Sequence, residues 1–383
     1  MTRIGAGVST AEGAGRAARE AADEAARALG GADVDLAFVF LSPAHADEAA
    51  AGAARVQSEL APRHLLGCVA EGVVGRGREL EEGPGAVVWA ASLPGADIEP
   101  FHATVVETDE GTAVVGLPVL AGKKLAALLV DPFTFPVAPV LATLSDEYPG
   151  VPLVGGIAVG GREAGSASLI LDDEVRDAGA VGVAFASVEV RPLVSPGCAP
   201  IGRDAVITSA EENVVYELAG QPALERLREE IAALPPDEQA LAASGLLAGL
   251  VIDENRPHYE RGDYLMRGLL GADEQSGALA IGEQVRVGQT LRFHVRDARS
   301  ADEDLRSALA SLEGERAAGA LLFTCNGRGT NMFPEPDHDA RLVGEALRSD
   351  AVAGFFCGGE IGPVGGRTLL HGFTATMAVF LDR

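Results

Sequence analysis

Apolar and polar positions fall along this chain in blocks, and the blocks recur. Leu36 to Leu41 is a continuous apolar run broken at Ser42-Pro43; an Ala-rich helical stretch from about Asp47 to Leu60 follows, then Leu65-Leu66-Gly67-Cys68. Leu125 to Val130 is broken at Asp131-Pro132, followed by a helical stretch around Val140 to Tyr148 and by Leu153-Val154-Gly155-Gly156. Ala320 to Phe323 leads through the loop Thr324 to Pro336 into a helical stretch from about Asp337 to Arg348, then Gly354-Phe355-Phe356-Cys357-Gly358. Short unbroken apolar runs of this length predict strands. Each unit therefore reads as strand, loop, helix and a strand ending in glycine, followed by a Gly-rich loop and a further apolar strand (Ala86 to Leu93, Ala180 to Ser187, Thr368 to Leu381).

The first and third units share an upstream element. Ser9-Thr10-Ala11-Glu12 has the spacing of a capping box opening a helix that ends near Gly30-Gly31, and Ser300 to Glu303 opens a comparable helix ending near Gly314. Each follows a short strand, Ile4 to Val8 and Leu291 to Val295. Between Ala232 and Gln239, Pro235-Pro236 ends a helical segment from Asn213 to Ile231, because two consecutive prolines remove two amide donors. The expected architecture is α/β with mixed sheets: two related domains of repeated strand-helix-strand-strand units, at 1–232 (two units) and 240–383 (one unit).

Composition narrows the function. The chain has 383 residues, 48 glycines and a net charge of −26, with Lys123 and Lys124 its only lysines. Such a charge repels nucleic acid and anionic lipid unless a basic patch intervenes, and the arginines are scattered among acids. Met1 to Ala11 has no apolar signal core, no stretch approaches the ~18 apolar residues of a membrane span, and four separated cysteines form no CxxC. A cytoplasmic protein with reduced thiols is expected, with no nucleic-acid or membrane partner.

Familiar cofactor motifs fail on spacing. Gly116 to Lys124 resembles a phosphate-binding loop, but five residues separate its glycines and Lys124 stands where a hydroxyl would hold magnesium. Gly13 to Ala18 matches a dinucleotide fingerprint but lies inside a helix already begun, so its glycines read as packing positions. Seven histidines form no HxH or HExxH, and Pro336-Asp337-His338-Asp339 reads as a helix start, with Asp337 capping and Asp339 complementing the dipole. Neither cofactor nor metal is expected.

The third unit's loops hold the candidate chemistry. Cys325-Asn326-Gly327-Arg328-Gly329-Thr330 follows one strand, and Cys357-Gly358-Gly359-Glu360-Ile361-Gly362 closes the next. Strand ends are where open α/β sheets place ligand crevices. Arg328 could fork onto an anionic group, Glu360 could receive an amine or hydroxyl, and Gly327, Gly329 and Gly359 would let amides approach. Equally, the glycines could shape turns and Arg328 could pair with Glu360. A Cys325 or Cys357 nucleophile, in a transferase or hydrolase, would need a base and a depressed thiol pKa, and no partner lies nearby in sequence.

At Leu66-Gly67-Cys68, Val154-Gly155-Gly156, Pro196-Gly197-Cys198-Ala199-Pro200-Ile201-Gly202, Cys325-x-Gly327-Arg328-Gly329 and Phe356-Cys357-x-Gly359-Glu360-Ile361-Gly362 the chain resembles the FIST family, over about residues 30–380. The resemblance implies a sensory module with an N-terminal and a C-terminal FIST domain, binding a small molecule such as an amino acid. It adds Cys68 and Glu71 to the candidate residues. No catalytic output segment has room beside the two domains, so signalling would pass through a separate partner protein or self-association. A ligand-free interaction scaffold is the remaining alternative.

Overall fold

The structure, a computed structural model, describes residues 1–109, 111–161 and 163–382. Its contacts divide the chain into two compact units: Met1–Val194 with Arg306–Leu370 and Thr374–Arg383, and Ser195–Leu305 with His371–Phe373. Pro235-Pro236 lies within the second unit, where Pro236 opens the helix Pro236–Ser244 that follows the helix Ala223–Ala232.

The first unit contains three sheets of one design. Each is centred on a parallel pair: Leu36–Leu41 with His64–Val69, Leu125–Val130 with Leu153–Ile157, and Ala317–Cys325 with Val352–Cys357. The helices Ala49–Leu60, Val137–Glu147 and His338–Leu347 supply the crossovers. An antiparallel strand flanks the first member of each pair: Ala86–Ser92, Ala180–Phe185 or Ala375–Leu381. Beyond it lies a further strand, Arg3–Ser9, Ile98–Thr108 or Val190–Ser195, and in the second sheet Gly111–Val115 pairs outside Ile98–Thr108. The apolar runs are strands buried on both faces, as their unbroken hydrophobicity requires.

The other side of each pair is completed by a hairpin from a different repeat. Val73–Gly75 and Arg78–Leu80, from the first repeat, join the third sheet. Leu169–Leu171 and Glu174–Arg176, from the second, join the first. Glu360–Val364 and Arg367–His371, from the third, join the second. The exchange is cyclic. One hydrophobic core draws on all three sheets, with Trp89 packed on Phe380, and Phe40 and Phe323 on Phe355.

Several local expectations are corrected. The third sheet's outer strand is Val190–Ser195, whereas Thr290–Arg296 belongs to the second unit. Asn213 to Ile231 is not one helix, because the strand Val214–Leu218 precedes the helix Ala223–Ala232. Ser9 does not open a capping box: it still belongs to the strand Arg3–Ser9, its hydroxyl donates to Glu20 at 2.7 Å, and the helix begins at Ala14, whose N–H donates to Glu48 at 2.9 Å. That helix, Ala14–Leu29, lays a face of alanines on the outer strand so closely that a Cβ at Gly7 would stand 2.0 Å from the Ala21 carbonyl oxygen. Asp297, rather than Ser300, caps the helix Ala298–Ala310 by accepting from the Ser300 N–H at 3.0 Å.

In the second unit six antiparallel strands close into a barrel. Cys198–Glu211 pairs with Thr290–Arg296, then in turn come Leu246–Val251, Tyr264–Asp273, Ala278–Ile281 and Val214–Leu218, which pairs back onto Cys198–Glu211. Phe293 and Val295 share its core with Leu224 and Leu227 of the helix Ala223–Ala232. Among the described residues no helix is long and apolar enough to cross a membrane.

Candidate functional site

The cyclic exchange brings the C-terminal ends of three parallel strands together. The Phe356 N–H donates to Gly72 O at 3.0 Å, Gly358 N–H to Ile157 O at 3.0 Å, Ile157 N–H to Gly359 O at 2.8 Å and Val69 N–H to Ser168 O at 2.9 Å. Glycine at position 156 makes room for Cys357, whose Sγ would stand 2.2 Å from a Cβ there. The fold thus gathers Cys325, Cys357, Asn326, Glu71 and the Gly358-Gly359-Glu360 turn. Above, the Asn326 side-chain amide donates to Glu71 at 2.5 Å, tying the first repeat's loop to the third's.

Below this rim Arg328 and Glu360 are fully buried. They do not pair with each other through a hydrogen bond. Arg328 donates from Nε to Asp339 Oδ2 at 2.6 Å and from Nη2 to Asp339 Oδ1 at 2.9 Å, with its guanidinium over the Phe333 ring, which stacks on His338. Asp339 also accepts from the Thr324 hydroxyl at 2.8 Å. Burial opposes its charge, but the adjacent Arg328 guanidinium outweighs burial and holds the carboxyl well below the usual carboxylate range. Asp339 is therefore the arginine's counter-ion as well as the acid of the helix's first turn, whereas Asp337, at the N-cap position, is in a left-handed conformation with its carboxylate accepting from Glu79 N–H at 2.6 Å, so its side chain does not cap the helix. Two of the three guanidinium nitrogens are committed within the protein. Arg328 Nη1 is buried without a hydrogen-bond partner.

Glu360 accepts from the Thr374 N–H at 3.0 Å and hydroxyl at 2.9 Å, both on Oε2. Oε1 is buried without a nitrogen or oxygen partner, and the Cys325 thiol lies close enough to act on this carboxyl. Burial raises the Glu360 pKa to about 8. Glu79, on the exchanged hairpin, accepts from the Ala340 N–H at 2.9 Å and is also raised to about 8, by burial and then by the Asp339 charge. A carboxyl with a raised folded pKa stabilises the fold below its unfolded value near 4.5, and that stability is lost as pH rises through about 8. Stability is accordingly expected to fall between pH 5 and 8, by on the order of a few kcal/mol, with Glu360→Gln flattening the slope; urea midpoints across that range check this, and an unchanged slope in the variant contradicts it.

The glycines are used otherwise than expected. Gly359 offers its carbonyl to Ile157, and the Gly327 N–H donates to Cys325 Sγ at 3.4 Å. Beside Gly329 (φ 52°) lies the Glu81 carboxylate, which accepts from the Thr330 N–H at 2.9 Å and hydroxyl at 2.8 Å. The loop's anion-binding amide is thus filled by the chain's own acid. All four cysteines are buried, and burial pushes the Cys68 and Cys357 thiols up, opposite to what a thiolate nucleophile needs.

Sequence reasoning missed Asp339 as a partner, and the signal was present. Asp339, Val343 and Leu347 share the buried face of the helix His338–Leu347, so an acid stands on an apolar stripe. Nothing comparable marks Glu79 and Glu81, brought across by a hairpin whose destination no local pattern encodes, or Thr374, which lies between strands of two different sheets.

A family model of the FIST N domain matches residues 35–221, and one of the FIST C domain matches residues 223–363. An uncharacterized protein of Mycobacterium tuberculosis is 45% identical over 384 residues, covering 99% of this chain and 100% of the relative. One from Mycobacterium bovis is 45% identical over 385 residues, covering 99% of each. FIST domains are associated with sensory signal transduction. With both family domains matched in order over most of its length, the chain belongs to the FIST family.

Proposed function

We propose that the protein is a sensory module that binds a small polar metabolite, such as an amino acid, where the three parallel strand ends meet. The observation that carries this reading is the pair of buried polar atoms without hydrogen-bond partners, Arg328 Nη1 and Glu360 Oε1. A buried donor or acceptor left unpaired costs about 1–3 kcal/mol, and a zwitterion offers each its complement: a carboxylate oxygen to Nη1 and an ammonium to the Glu360 carboxylate. Asp339 fixes the guanidinium, Thr374 fixes the carboxyl, and the Asn326–Glu71 bond ties the loops of the first and third repeats together. Output would pass to a partner protein or through self-association.

Because burial keeps Glu360 largely protonated near neutrality, ammonium binding must displace its proton. Isothermal titration with amino acids and small carboxylates should find a saturable ligand whose affinity rises between pH 6 and 8. Proton release should appear in buffers of different ionisation enthalpy, and Glu360→Gln should weaken binding at least tenfold. A folded Glu360→Gln protein that binds the same ligand equally well removes Glu360 from the site; no saturable binding by either class rejects the reading.

A further inference from the structure

A second site lies at the opposite ends of these strands. A cleft of about 1260 Å³ opens among residues Met1–Ile4, the C-terminal end of the helix Ala14–Leu29, Arg306 to Ala318, the end of the helix His338–Leu347, and Leu381–Asp382. The parallel strand Ala317–Cys325 begins here and ends at the site described above, so the two sites are at opposite ends of one strand. Ligand cavities are typically 300–1,000 Å³, so this one has room for a whole small molecule.

The lining specifies what fits. Leu309, Leu312, Leu342, Leu347 and Leu381 keep 5–9% of their surface exposed, whereas Leu321 and Leu322 in the neighbouring strand keep 0%. The floor is aliphatic, and no Phe, Tyr or Trp lines the cleft, which favours a flexible hydrocarbon chain over a flat ring. Around it stand Arg3, Arg306, Arg316 and Arg348, opposed by Glu313, Glu315, Glu345 and Asp382. Glu315 is engaged by Arg191, outside the cleft, and Asp382 by Arg316. In a chain of net charge −26 the fold thus assembles from scattered arginines a place where, among the described residues, four arginines stand with four carboxylates. A single negative charge is tolerated there; Glu313 and Glu345 on the same rim would repel a polyanion.

We propose that this cleft binds a free amphipathic molecule: a linear aliphatic chain ending in one anionic group, such as a medium-chain carboxylate. The chain lies on the leucine floor, and the headgroup meets Arg3 and Arg348, whose planar guanidiniums suit a carboxylate. Floor contact makes affinity grow with chain length, up to about fourfold per methylene.

The test is calorimetric titration of dodecanoate, below its micellar concentration, into the full-length protein. One saturable site is expected, weaker for octanoate, weakened at least tenfold in an Arg3→Glu/Arg348→Glu protein and unchanged in Arg55→Glu, which makes the same kind of charge change within the same unit at an arginine that does not line the cleft. If the double variant unfolds, Arg348→Glu alone is used and the chain-length series stands independently. The proposal is overturned if dodecanoate gives no saturable binding, if dodecylammonium binds as tightly, or if affinity ignores chain length. Amino acids should not compete with dodecanoate; competition would place the chain at the Glu360 site and overturn the cleft assignment while leaving the sensory reading intact.

Discussion

Asp339→Ala is expected to lower stability by about 3–5 kcal/mol, because it leaves a fully buried arginine without its counter-ion. The variant removes both acceptors of the Arg328 fork and also the acceptor of the Thr324 hydroxyl. The guanidinium is fully buried over the Phe333 ring, and deprotonation is closed to arginine. Replacing both partners, Arg328→Met with Asp339→Leu, should recover much of the loss, since exchanging a buried pair for apolar groups is often close to neutral. Urea midpoints of the three proteins decide the matter: a single variant within 1 kcal/mol of wild type would mean that the pair does not hold the loop in place.

Gly354→Ala should be more damaging still, to the point of losing soluble, cooperatively folded protein. Gly354 lies in the parallel strand Val352–Cys357, and a Cβ there would stand 1.6 Å from the Leu322 carbonyl oxygen. The obstacle is backbone in the middle of a sheet, so no side-chain rotation relieves it. The two strands would have to separate at their hydrogen-bonded pairing of Leu322 with Gly354. Gly271→Ala is the control: it lies in the strand Tyr264–Asp273, is exposed, and a Cβ would meet nothing within 4 Å. Comparable soluble yield and thermal midpoint for the two variants would contradict the close-approach argument.

The repeats were legible because each rests on a local pattern. Six consecutive apolar residues at Leu36–Leu41 and again at Leu125–Val130 read as buried strand, and Ser42-Pro43 and Asp131-Pro132 mark where each run breaks. Illegible was everything decided by pairing at a distance. Thr290–Arg296 alternates like any strand, and nothing in it announces that it closes a barrel with Cys198–Glu211. At the site, Arg328 and Glu360 stood out among glycines. Their actual partners, Asp339 and Thr374, are hidden: Asp339 looks like an ordinary first-turn acid, and Thr374 lies between two strands, Arg367–His371 and Ala375–Leu381, that the pattern from Thr368 to Leu381 does not separate. The exchanged hairpin that brings Glu79 and Glu81 across is invisible because it follows its own repeat in sequence and serves another in space.

The circular lending of hairpins has a kinetic consequence. No sheet of the first unit can be finished until a neighbour has formed, and the ring closes only when the third repeat, whose strands span residues 317–381, reaches back to the hairpin at residues 73–80. Contacts so distant in sequence make folding slow relative to chains built from local contacts. A nascent or truncated polypeptide that stops short of Val352 would present the hairpin Val73–Leu80 as an unclaimed edge, an invitation to pair with the same segment of another chain.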